Sequence, residues 1–190
     1  MCELNVLKGK FQVFNEKTKK RPPKTPTKAR LKNIALHYLE RFETSKDNLR
    51  NVLRRRIDKY VFFDKTFNPE QAYVWADEIV EECAYKNYVS DDRYTELKIN
   101  SYLRAGKPKR YIEQKLKQKG IDEKIIRNLF NETDYNEFDI AYNFAKKKKI
   151  GPFRDTENKR QEFYQKDLGT LVRAGFNFDI AKDILDSNKD

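Results

Sequence analysis

The sequence predicts an all-α fold: a tandem array of three three-helix, helix-turn-helix-like repeats, elongated and curved, with a basic N-terminal arm. Three observations predict it. Apolar residues recur at helical spacing almost throughout from residue 30 onward. Glycine and proline are scarce, 6 of each in 190 residues, which counts against turn-rich β-sandwiches and Gly-rich phosphate loops. Finally, one segment pattern returns fifty-five residues further along, the mark of units too small to bury their own apolar stripes alone.

The first repeat is expected over residues 30–90. Leu31, Ala35, Tyr38, Leu39 and Phe42 share one face of a helix near residues 30–43. Ser45 offers an N-cap, a side-chain oxygen for the free amides of the next helix, which carries Leu49, Val52, Leu53 and Ile57. A long connection holding Tyr60 to Phe63, an insertion near 58–69, leads to Pro69 as a first-turn proline. Ala72, Trp75, Ala76, Ile79, Val80 and Cys83 then follow the i, i+3, i+4, i+7, i+8, i+11 spacing of an amphipathic helix.

The second repeat is expected over 91–134, with a first helix near 91–104. Pro108 opens the next helix with Ile112 and Leu116 inward, Gly120 ends it, Ile121 follows, and Asp122 caps a short helix bearing Ile125, Ile126, Leu129 and Phe130. In the third, over 135–190 with a first helix near 136–149, Leu171, Gly175, Phe176 and Asn177 stand at the places of Leu116, Gly120, Ile121 and Asp122. Ile180, Ala181, Ile184 and Leu185 complete the copy. Stepping back 46 residues from the Ile125 helix gives Ile79, Val80, Cys83 and Ala84; 63 back from Ile112 and Leu116 gives Leu49 and Leu53. Glycine ends a helix by taking the left-handed conformation, and the apolar residue after it packs back on the last turn. Each repeat therefore turns a tight corner.

Phe, Leu, Ile and Val make up about a quarter of the chain, above the roughly 20% level that goes with disorder. The net charge of +11 comes from 41 basic and 30 acidic residues. Much of the excess lies early: residues 1–34 hold Lys and Arg with only Glu3 and Glu16 against them. Pro22, Pro23 and Pro26 prevent helix there. Residues 1–29 are expected to form a flexible basic arm, either a solubilising leader or a polyanion-binding segment, with Val6, Leu7, Phe11, Val13 and Phe14 in a short extended piece before it. Cys2 and Cys83 make no disulfide framework or metal knuckle. No apolar run approaches the ~18 residues of a membrane span, and Lys8 and Lys10 interrupt any signal-peptide core. A cytoplasmic protein, monomeric and without membrane contact, is expected.

No residue cluster announces catalysis. His37 is the sole histidine, so neither a hydrolytic pair nor a zinc site can be built on it. Asp91 and Asp92 follow Ser90 and read as the capped, acidic start of a helix rather than a metal-binding pair. Gly106-Lys107-Pro108 fails as a phosphate loop: Ser101 stands where the partner glycine belongs, and Pro108 where the magnesium-binding hydroxyl belongs. A non-enzyme without cofactor or metal is expected. Three basic clusters remain, Arg54-Arg55-Arg56, the set Lys107, Lys109, Arg110, Lys115, Lys117 and Lys119, and Lys146 to Lys149. They line a groove for phosphate backbone or an acidic partner, or they solvate helix faces. A helix-turn-helix DNA reader is disfavoured, because Asp122, Glu123 and Asp179 occupy the positions that would approach phosphates.

Four segments in this order resemble the RecX family, regulators of RecA. Ala35-Leu36-His37-Tyr38-Leu39-Glu40-Arg41 with Ser45 and Leu49 is similar to the family's opening pattern. Lys86-Asn87-Tyr88-Val89-Ser90-Asp91-Asp92-Arg93-Tyr94 is similar to its glycine-tyrosine-leucine-aspartate-aspartate segment, with Asn87 in place of the usual glycine. Gly106 to Ile112 with Leu116, Lys119, Gly120 and Ile121 resembles its central signature, and Arg173-Ala174-Gly175-Phe176 its closing one. The first repeat departs by lacking a Lys-Gly end, and the arm has no part in the pattern. The resemblance, over residues 30–187, implies a non-enzymatic modulator. Such a protein lodges in the groove of the RecA filament on single-stranded DNA and restrains its ATPase, recombinase and co-protease activities, with single- or double-stranded DNA as a further partner. The family supplies no contact set. From position and charge the expected partner-binding residues are Arg54, Arg55, Lys109, Arg110, Lys115, Lys117 and Lys119. The competing reading is a RecA-independent nucleic-acid-binding helical protein acting through its basic arm.

Overall fold

Nine α-helices and one 3-10 turn, with no strand, make up the described residues of the computed structural model, which are 22–187. The arm up to Arg21, with its expected extended piece, lies outside them. The helices form three triads, and every extensive helix–helix contact among them is made within one triad. Each triad has its own apolar core. The first holds Leu31, Leu49, Leu53, Ile57, Ile79 and Val80; the second Ile99, Ile112, Leu116, Ile121, Ile126 and Phe130; the third Ala141, Ala145, Leu171, Phe176, Ile184 and Leu185.

In the first triad, α1 spans Lys28–Leu39, α2 Lys46–Phe63 and α3 Glu70–Tyr85. The Thr27 hydroxyl caps α1 and the Ser45 hydroxyl caps α2, accepting from the amides of Arg30 and Asn48. Two expectations are corrected here. α1 starts two residues inside the expected arm and stops at Leu39, so Phe42 lies beyond it, 54% exposed and packed on Tyr38. Residues 58–63, expected as connection, are the last turns of α2, because no glycine interrupts them; only 64–69 connects. There Asp64 takes both the amide and the hydroxyl of Thr66, and Asn68 takes the amide of Glu70. Asn87 ends the triad at φ 57°, where glycine would be free and asparagine is the best-tolerated alternative.

The second triad comprises α4 (Asp91–Arg104), α5 (Lys109–Lys117) and α6 (Glu123–Asn131); the third comprises α7 (Glu137–Lys148), the 3-10 turn Gly151–Phe153, α8 (Glu157–Ala174) and α9 (Phe178–Asp186). The two glycine corners superpose in kind. Gly120 has φ +72° and Gly175 +105°; the amides of Ile121 and Phe176 donate back to the carbonyls of Leu116 and Leu171. Asp122 and Asn177 cap the helices that follow.

Both corners do more than end a helix. A Cβ on Gly120 would stand 2.4 Å from Asp47 Cβ, at the start of α2 in the preceding triad. A Cβ on Gly175 would stand 3.3 Å from Pro108 Cγ and 3.7 Å from Tyr111 Cβ, at the start of α5 in the preceding triad. Shifted by 63 residues, Pro108 and Tyr111 are the counterparts of Ser45 and Asn48. Each glycine corner thus nests on the second-helix N-terminus of the repeat before it. Ile57, the counterpart of Gly120 in the first repeat, makes no such approach and is buried in its own core. That is why α2 can run on for six further residues.

Candidate partner-binding surface

The first joint fixes how the basic helices α2 and α5 sit. Ser45 accepts from the Asn48 amide and donates its own hydroxyl proton to the Lys119 carbonyl at 2.6 Å. The Lys46 amide donates to Asp91 Oδ1 at 2.8 Å, and Arg93 pairs with Glu43 at 3.0 Å. Asp91 is buried, so the bond its charged carboxylate accepts from the Lys46 amide contributes more than a surface pair would. Ser90, and not either aspartate, supplies the α4 cap, accepting from the Arg93 amide. Asp91 instead ties α4 to α2, a role that no local pattern discloses.

The seven expected contact residues do not converge on one patch. Arg54 on α2 is held by Asp77 of α3 at 3.2 Å and lies 5.9 Å over the Tyr73 ring. Lys117, its counterpart 63 residues on, is likewise paired, with Glu123, whose carboxyl is pushed below its usual range by that ammonium. Arg110 and Lys117 share a shallow depression of about 550 Å³ with Glu113 and Gln114. Lys115 lies over the Tyr111 ring beside Lys107, at 5.6 and 5.1 Å. Lys109 covers Phe130, while its amide donates to the Tyr135 hydroxyl, whose pKa is pushed up to about 12 chiefly by burial. Lys119 reaches Asn48 Oδ1 at 3.5 Å across the joint. Arg55 is exposed and faces the other side of α2, with Arg56 and Lys59.

The third repeat does not copy these lysines on its second helix, whose cations, Lys159, Arg160, Lys166 and Arg173, stand at other places. Fifty-five residues beyond Lys109, Lys115, Lys117 and Lys119 stand Tyr164, Thr170, Val172 and Ala174. What replaces Ile112 there is Asp167, 1% exposed, whose carboxylate accepts two hydrogen bonds from Arg154 at 2.7 Å and one from the Gly151 amide at 2.9 Å. The Lys146 to Lys149 cluster is exposed on the last turn of α7 and its C-cap, where cations meet the negative end of the helix dipole. His37 is exposed, with Nδ1 3.5 Å from Glu40. Among the described residues no cluster suited to a metal ion occurs, and no helix is long and apolar enough to cross a membrane.

Comparison with known proteins agrees with this architecture. Residues 90–128 match the family model described as RecX, second three-helix domain. The Regulatory protein RecX of Myxococcus xanthus (strain DK1622) is 36% identical over 178 residues, covering 91% of this chain and 95% of that protein. The Regulatory protein RecX of Agrobacterium fabrum is 28% identical, covering 81% of this chain and 80% of its own. Among solved structures, RecX from Lactobacillus salivarius aligns with a TM-score of 0.57 at 22% identity, covering 83% of this chain and 94% of that one. A second RecX crystal structure aligns with a TM-score of 0.60 at 21% identity, covering 84% and 73%; both share the fold.

Proposed function

The chain belongs to the RecX family of regulatory proteins, and from that premise we propose that it binds the RecA filament formed on single-stranded DNA and restrains its ATPase, recombinase and co-protease activities. Regulation of DNA repair and recombination follows from that restraint, and the protein carries out no chemistry of its own.

The observation that supports this reading most is the pair of nested corners. A filament repeats one surface at fixed intervals, so a ligand gains from several modest contacts only if they are held at constant separation. Gly120 against Asp47 and Gly175 against Pro108 hold three repeats in register. The cations of α2 and α5 that are not paired to a carboxylate among the described residues, Arg55, Arg110 and Lys115 among them, then meet protein and phosphate surfaces together.

The test is RecA ATPase on single-stranded DNA, titrated with the full chain and with a version lacking residues 1–21. That truncation keeps Thr27, which caps α1, and Pro26, which is buried. Inhibition at substoichiometric protein that survives the truncation supports filament binding. Inhibition only at DNA-saturating amounts, lost with the arm, assigns the effect to competition for DNA.

A further inference from the structure

The first repeat carries an apolar cleft that the RecA-binding reading does not use. Pro23 and Lys24 lie against Arg30, Leu31 and Ile34, on one side of α1. Helical spacing places Lys32, Leu36, Leu39 and Glu40 on the other side. There a cleft of about 420 Å³ opens, with Lys86 and Tyr88 as its far wall, a volume within the range in which proteins bury small ligands. Leu36 and Leu39 are half-buried; Leu39 packs on the first core, whereas Leu36 lies outside it. Tyr88 is 52% exposed and Tyr85, three residues before it, 92%. The wall is fixed in place, since the Tyr88 amide donates to the Cys83 carbonyl at 2.8 Å and the Arg93 guanidinium donates to the Tyr88 carbonyl at 3.4 Å.

The charges around this cleft are already matched. Lys32 and Lys86 both reach Glu82, at 2.7 and 2.6 Å, and Glu40 faces His37 at 3.5 Å. A ligand recognised by charge would have to displace these pairs, so what the cleft offers an occupant is apolar surface. The chain's own first residues supply a matching segment. Val6, Leu7, Phe11, Val13 and Phe14 put five apolar side chains within nine positions, and Phe11 to Asn15 carry no charge. They lie outside the described residues, which begin at Pro22. Residues 15–21 join Phe14 to Pro22 and span up to about 25 Å when extended. That exceeds both the ~18 Å length of α1 and the ~10–12 Å width of a helix, so Phe14 reaches either side of α1. So short a tether holds the segment at an effective concentration in the millimolar range, which populates even a weak apolar contact; a second copy of the chain would have to supply that concentration from solution.

We propose that Phe11 to Phe14 of the N-terminal arm dock in this cleft of the same chain, their side chains on Leu36, Leu39 and Tyr88. The arm then has two parts, an apolar anchor and the basic stretch from Lys17 to Arg21 that the anchor holds beside α1. Docking needs no RecA, so it stands or falls separately from the filament reading.

The experiment uses the full chain carrying Cys2→Ser, with Cys83 buried and left in place, and measures disulfide formation in a glutathione buffer. Gln12→Cys stands between the docking side chains and is paired in turn with Glu40→Cys, in the cleft, and with Lys59→Cys, beside Pro23 where the arm joins the body. Glu40 and Lys59 are both exposed, and unchanged helical circular dichroism certifies the fold. Docking makes the effective concentration of the Gln12→Cys, Glu40→Cys pair at least about tenfold that of the Gln12→Cys, Lys59→Cys pair. Adding Phe11→Ser and Phe14→Ser, which leaves the described residues untouched, brings the two within about twofold. A cleft pair that forms no more readily than the Lys59→Cys pair overturns the proposal. So does a cleft preference that survives Phe11→Ser and Phe14→Ser, or a disulfide that joins two chains and rises with protein concentration, which would assign the cleft to a second copy.

Discussion

Replacing Gly120 with alanine probes the joint between the first two repeats, with Gly106→Ala as its internal standard. Both glycines have left-handed backbones, φ +72° and +67°, but a Cβ on Gly106 meets nothing within 4 Å, whereas one on Gly120 meets Asp47 Cβ at 2.4 Å. The conformational cost is the same in both, about 1 kcal/mol. At Gly120 the clash is with the root of a side chain on a helix start, so relief requires the corner to lift off α2. Lifting it breaks the Ser45 to Lys119 bond and loosens the Lys46 to Asp91 bond, each contributing about 1 kcal/mol. The sum is about 3 kcal/mol for Gly120→Ala against about 1 for Gly106→Ala. For a chain of this size that corresponds to melting shifts of about 6–12 °C and about 2–4 °C, read by thermal circular dichroism. Asp47→Gly removes the obstructing Cβ, so in that background the Gly120→Ala cost falls toward the Gly106→Ala value. Equal costs for the two glycines, or additive effects of Asp47→Gly and Gly120→Ala, would refute the nested joint.

Two further outcomes follow from buried and bridging charges. Asp167→Ala leaves Arg154 and the Gly151 amide unpartnered and lowers stability by about 3 kcal/mol in urea titrations, while Asp167→Leu combined with Arg154→Met recovers part of that loss; no destabilisation by Asp167→Ala would show the pair to be idle. Glu82 bridges Lys32 of α1 and Lys86 after α3, and these two ammonium groups hold its carboxyl down at about 2 from the ordinary 4.5. A depressed carboxyl pKa stabilises the fold above the unfolded value and ceases to do so as pH falls through the folded one. Glu82→Gln is therefore less stable than wild type at neutral pH, and the difference closes between about pH 4.5 and 2; urea midpoints that stay apart at pH 2 would contradict it.

The helices were legible because each signal is local. Ser45, Ser90, Asp122 and Asn177 sit at caps, and the inward stripe of α3 reads directly from its spacing. The 55-residue echo disclosed the glycine corners, but not what they nest upon, since Asp47 and Gly120 are brought together only by the array. The last turns of α2 are not legible in the sequence because Tyr60 to Phe63 breaks the inward pattern without breaking the helix: Phe62 and Phe63 are exposed. Runs of arginine and lysine could be counted but not sorted, because what separates Arg54 from Arg56 is Asp77 on another helix. Asp167 falls where the echo demands an apolar residue, and that break in the pattern marks its buried pairing with Arg154.

Titrating RecA ATPase on single-stranded DNA with the wild-type chain, Gly106→Ala and Gly120→Ala, all below their melting temperatures, joins the architecture to the activity. Three repeats acting as one rigid ligand require that loosening a joint weaken inhibition far more than loosening an open turn does. Half-inhibition should then need at least about tenfold more Gly120→Ala protein, and no more than about twofold more Gly106→Ala, than wild type. Three superimposable inhibition curves would mean that the nested corners play no part in holding the filament.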